Sequence, residues 1–110
     1  MLAAARAAQL LEQGSQSEKA EDWPAALRYY ERARAMDPSL GGLASAAVAR
    51  VQTQMFADGA DAFKRAQQFE ALNRVNDAIT WYERAVRNLP DSSPEKRTAT
   101  DRLRVLKAGR

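Results

Sequence analysis

The feature that most constrains this chain is that it matches itself. Displaced by 52 residues, Ala26 falls on Ala78, Leu27 on Ile79, Tyr29 on Trp81 and Pro38 on Pro90. The block Tyr30-Glu31-Arg32-Ala33 falls on Tyr82-Glu83-Arg84-Ala85, and Glu18 on Glu70. The register continues beyond the prolines, where Ala47 meets Ala99, Arg50 meets Arg102 and Val51 meets Leu103. A chain of 110 residues that holds two copies of one design is a short repeat array or one small domain.

Apolar positions recur at helical spacing along most of the chain, and no alternating β-branched or aromatic run is long enough for a strand. The fold class is therefore all-α. Punctuation sets the bounds: Asp22 with Pro24 starts a helix, Asp37-Pro38 stops it, and Gly41-Gly42 reads as a hinge. Asp58-Gly59, Asn73 to Asn76, and Leu89-Pro90 through Ser93-Pro94 supply the other breaks, with Ser93 as an N-cap before proline at the first helical position. Six helices are expected, near 3–19, 23–36, 41–57, 60–72, 75–89 and 94–108. A competing reading runs one helix over 41–72, because Ala44, Val48, Val51, Met55, Ala62, Ala66 and Phe69 form a nearly continuous stripe across Gly59. Such a helix would be about 48 Å long.

Composition narrows the chemistry. With no Cys and no His, thiolate nucleophiles, imidazole bases, disulfide frameworks and Cys/His zinc sites are ruled out. Glu21-Asp22 is an acidic pair at a helix start, where it complements the helix dipole, and Gly41-Gly42 lacks the strand and lysine of a phosphate loop. No catalytic, cofactor or metal-ligating residue is expected, and the chain reads as a non-enzyme. No stretch approaches a membrane span, the Ala-rich start carries Arg6 without a signal-cleavage pattern, and a soluble, cytoplasmic protein is the expectation.

In each copy, Ala26, Tyr30 and Ala33, or Ala78, Tyr82 and Ala85, share one helical face, where small residues admit a close neighbour and the aromatic supplies the buried area. Followed by Asp37-Pro38 and by Pro90, the segments DWPAALRYYERARAMDP and VNDAITWYERAVRNLP resemble the second helix and terminal proline of a tetratricopeptide repeat. The first helices match less fully. Gly14 and Ala66 hold the family's small position and Phe69 its aromatic, but Ser17 stands where an aromatic is usual, and Gln13 and Arg65 where large apolar residues are.

The resemblance covers roughly residues 7–40 and 59–92 and implies a single domain. In it, antiparallel helical hairpins form a right-handed superhelical array, with a linking helix at 41–57 and a capping helix at 94–108. It also implies a concave groove for a peptide or helix of a partner protein. Transferred position by position, the groove candidates are Leu11, Ser15 and Glu18, then Phe63, Gln67 and Glu70, with Ser45, Ala49, Gln52, Arg97, Asp101 and Arg104 from the trailing helices. The competing reading makes Leu11 and Phe63 core residues and Ser15, Gln52 and Gln67 solvated ones. The Lys/Asn clamp by which chaperone-binding members hold a terminal carboxylate has no counterpart at these positions.

Other readings remain. The segment EKAEDWPAALRYYERA also resembles the first hairpin of microtubule-interacting-and-transport domains, three-helix bundles that bind helical tails. An unbroken helix over 41–72 would invite exchange between chains, so a self-assembling homo-oligomer is an alternative function. Trp23 and Trp81 read as packing residues, with a Tyr29/Trp81 edge as a possible contact. Residues 94–110 carry a net charge of +4 against −1 for the remainder. That end has no interleaved aromatics and carries Leu103, Val105 and Leu106 for docking, so it reads as a solvated cap, and nucleic acid is not an expected partner.

Overall fold

Helix formation follows the punctuation except in the middle of the chain. The computed structural model describes residues 2–110, and these fold as α1 (Leu2–Lys19), α2 (Trp23–Met36), a 3-10 turn (Pro38–Leu40), α3 (Gly41–Ala71), α4 (Val75–Asn88) and α5 (Pro94–Ala108). No strand occurs among the described residues, so the all-α expectation holds. No helix among them is long and apolar enough to cross a membrane.

Among the described residues there are five α-helices rather than six. The break expected at Asp58-Gly59, with helices at 41–57 and 60–72, is absent, and α3 runs unbroken from Gly41 to Ala71. A glycine inside a helix costs only about 1 kcal/mol relative to alanine, and here closeness to a neighbour requires it. A Cβ on Gly59 would stand 2.9 Å from the Leu89 backbone nitrogen and 3.0 Å from the Asn88 carbonyl carbon. Gly59 is thus where α3 passes the end of α4, and Asp58 bonds to α4 instead of capping a new helix.

The chain divides into two compact units, Met1–Gln54 and Met55–Arg110, with the boundary inside α3. In the first, α1 and α2 form a hairpin onto which the start of α3 packs. Ala7, Leu10 and Gly14 of α1, Ala26, Tyr30 and Ala33 of α2, and Ala44, Ala47, Val48 and Val51 of α3 are buried. In the second, Ala62 and Ala66 of α3, Ala78, Tyr82 and Ala85 of α4, Leu89, and Ala99 of α5 form the core, lined by Phe63, Phe69, Leu103 and Leu106. The small-aromatic-small faces read from the sequence are the buried faces of α2 and α4. Each aromatic contributes on the order of 2 kcal/mol through its buried area.

The turns repeat as well as the helices. Glu21 and Asn73, 52 residues apart, both adopt φ 59°. In both turns the next residue's N–H reaches back to the residue before the glutamate: Asp22 N donates to Ser17 O (2.9 Å) and Arg74 N to Phe69 O (2.9 Å). Left-handed backbone suits asparagine better than glutamate, so the first copy holds the same turn at greater cost. Caps differ: Asp22 accepts from Ala25 N (3.4 Å), whereas Arg74 gives α4 no side-chain cap. Ser93 caps α5 by accepting from Lys96 N (3.2 Å), as its place before Pro94 predicts.

Candidate functional site

Each unit is fastened by one tyrosine, one glutamate and one arginine, all related by the same 52-residue displacement. Tyr30 on α2 donates its hydroxyl to Glu18 Oε1 on α1 at 2.8 Å, and Arg50 on α3 grips both oxygens of that carboxylate from Nε (2.7 Å) and Nη2 (2.8 Å). In the second unit Tyr82 on α4 donates to Glu70 Oε1 of α3 at 2.7 Å, and Arg102 on α5 forms the same two-pronged contact with Glu70. One carboxylate therefore ties three helices together in each unit. A planar guanidinium suits this fork, and hydrogen bonds to a charged acceptor are the stronger kind.

Electrostatics follow the contacts. Arg50 holds the Glu18 carboxyl below the ordinary carboxylate range against the opposing effect of burial, with Tyr30 assisting, and Arg102 does the same for Glu70. Burial, then the adjoining glutamate, pushes the Tyr30 and Tyr82 phenols up. Both carboxylates are thus ionised and saturated at neutral pH, and neither has the raised pKa of a general acid.

Over each fastening lies a shallow depression. The first is bordered by Ser15, Glu18, Lys19, Trp23, Arg50 and Gln54 and encloses about 400 Å³. The second, about 380 Å³, is bordered by Gln67, Glu70, Ala71, Tyr82, Thr98 and Arg102. Four groove candidates, Ser15 and Glu18, Gln67 and Glu70, border these two depressions.

The other candidates are scattered. Leu11 is half-buried, and Phe63 sets its ring edge against Tyr82 at 6.0 Å between centroids, beside the core. Ser45 is exposed and accepts from Arg34 (3.3 Å); Ala49 and Gln52 are exposed on α3. Arg97 and Asp101 border a separate hollow on α5 with Asp91, Lys96 and Thr100, and Arg104 pairs with Asp101 at 3.1 Å. Trp23 is buried; Trp81 is half-buried, with the guanidiniums of Arg65 and Arg84 at 5.0 and 5.7 Å from its ring centre. Among the described residues no group of three or more acidic, His or Cys side chains could hold a metal ion.

Sequence reasoning did not single out Tyr30, Arg50, Tyr82 or Arg102 as parts of one cluster. The signal was present in the displaced alignment, where a glutamate, a tyrosine and an arginine recur at identical offsets. The second unit adds a cluster without a counterpart. There Arg84 grips Asp58 (2.9 and 2.6 Å), and the buried Asn88 amide donates to the same carboxylate. At the corresponding offsets the first copy has Arg6, Arg32 and Met36. Compared with family models, curated proteins and solved structures, the chain matches none of them.

Proposed function

We propose that this chain is a non-catalytic protein-binding module, a scaffold or adaptor resembling tetratricopeptide repeats, that holds a peptide or helix of a partner protein. The observation that carries the reading is the recurrence, at one fixed displacement, of the same fastened depression bordered by positions that the resemblance assigns to the groove. In each depression a glutamate and an arginine already paired with each other, Glu18 with Arg50 and Glu70 with Arg102, present fixed charges, which suits recognition rather than chemistry. Ser15 and Gln54 in one depression and Gln67 and Thr98 in the other add neutral donors and acceptors of the kind that pair with peptide backbone.

A second reading, self-assembly into a homo-oligomer by helix exchange, draws on the unbroken α3. One experiment separates the two. The chain is used as bait in a nuclease-treated lysate beside the double variant Ser15→Arg/Gln67→Arg, which crowds both depressions and leaves the fastenings in place. Circular dichroism confirms equal helicity. The adaptor reading predicts that a foreign protein is retained in stoichiometric amount by the parent chain and lost by the variant. Recovery of the chain's own protein alone, with sedimentation equilibrium giving a multiple of the chain mass for both forms, would replace it with self-assembly.

A further inference from the structure

The two depressions share a floor and differ at the rim. At the 52-residue displacement, Lys19 and Trp23 in the first correspond to Ala71 and Val75. Lys19 is exposed and makes no ion pair with any described residue. The charge of Glu18 is already met by Arg50 and Tyr30, so that carboxylate is taken and the ammonium of Lys19 has no carboxylate partner in this depression. Trp23 borders it too, is 7% exposed, and its indole Nε1 is buried without a hydrogen-bond acceptor. A buried N–H left unpaired costs free energy that an acceptor would return, and an acceptor beside a lone ammonium is best if anionic.

We propose that the first depression reads an acidic side chain of the bound peptide, its carboxylate accepting from Trp23 Nε1 and lying beside the Lys19 ammonium. This rests on the peptide-binding reading given above. The carboxylate comes from a Glu or Asp side chain rather than a chain terminus. The indole nitrogen is below the surface, and an acceptor carried on a methylene stem reaches it where a carboxylate fixed to the backbone is held at the rim. Lys19 and Gln54 are exposed side chains on the border of the same depression. The second depression is bordered by Ala71 where the first has Lys19, and has no indole on its border.

The test uses the full chain labelled with nitrogen-15, whose two indole N–H signals are assigned with Trp81→Phe. Three probes are titrated: acetyl-AAEAA-amide, acetyl-AAQAA-amide, and acetyl-AAQAA with a free C-terminus. The expected result is a saturable downfield shift of the Trp23 indole proton by the glutamate peptide, with affinity about tenfold above that for its amidated glutamine analogue. Lys19→Ala, a surface change that leaves the core intact, should shrink that preference to about twofold or less.

Equal response of the Trp23 indole to the Glu and Gln amides would overturn the acidic assignment. So would a response to the free-terminus peptide alone. If no peptide moves the indole but amides around Gln67 and Thr98 shift, the acidic assignment fails and peptide binding stands. If no amide in either depression responds to any probe, both fail.

Discussion

Gly59→Ala tests whether the glycine in mid-α3 is a crossing point or a weak spot in the helix. Alanine gains about 1 kcal/mol over glycine in a helix interior, so a glycine that merely interrupts α3 would be stabilised by the change. Here the new Cβ would lie 2.9 Å from both Leu89 Cγ and the Leu89 backbone nitrogen, and 3.0 Å from the Asn88 carbonyl carbon. Those backbone atoms are not free to yield: Leu89 N donates to Ala85 O at 2.8 Å, and the buried Asn88 amide is held by Asp58. Overpacking of this kind costs typically about 1–3 kcal/mol, which leaves a net loss of about 0–2 kcal/mol after the helical gain.

Gly42→Ala is the control, because a Cβ there meets nothing within 4 Å, and it should gain up to about 1 kcal/mol. In urea titrations followed by circular dichroism at about 1–2 kcal/mol per molar, the two variants should move the midpoint in opposite directions, by roughly 0.5 M each. A midpoint raised by Gly59→Ala as much as by Gly42→Ala would refute the close crossing.

Two other outcomes follow from the repeated turns and fastenings. Replacing Glu21, held at φ 59°, by glycine should stabilise the chain by about 0.5–1 kcal/mol, whereas Asn73→Gly, starting from a residue tolerant of that conformation, should change it less; thermal melts of the pair decide. Glu18 and Glu70 are held below their ordinary value of 4.5, chiefly by Arg50 and Arg102. Their stabilisation is therefore complete above the unfolded pKa near that value and is lost as pH falls through the lower folded pKa. The urea midpoint of the parent chain should fall across that acid window, and that of Glu18→Gln/Glu70→Gln should fall less steeply; parallel pH profiles would show that the fastenings carry no such linkage.

Much of the helical framework was legible because its signals are local. Asp22 before Trp23-Pro24, Ser93 before Pro94, and the prolines at 38 and 90 each satisfy or remove backbone groups within one turn, and the bounds of α2 and α5 follow. Asp58-Gly59 misled for the same reason: taken alone the pair is a break, and only the approach of Leu89, thirty positions on, explains a glycine inside a helix. The fastenings lie between these cases. Glu18, Tyr30 and Arg50 are far apart in sequence, so no single window shows that they meet. Their joint recurrence at 70, 82 and 102 was visible, since a polar residue kept in both copies at a helix junction has a partner there. Lys19 and Trp23 were the least legible, because they matter where the repeat departs from itself.

The most direct measurement is chemical-shift mapping of a peptide selected on this chain from a random display library. The account predicts that perturbed amides gather in one or other depression, along Ser15 to Lys19 and around Arg50, or along Gln67 to Ala71 and from Thr98 to Arg102. Perturbations confined to the outer positions of α2 and α4, such as Arg28, Thr80 and Arg87, with both depressions unmoved, would contradict it.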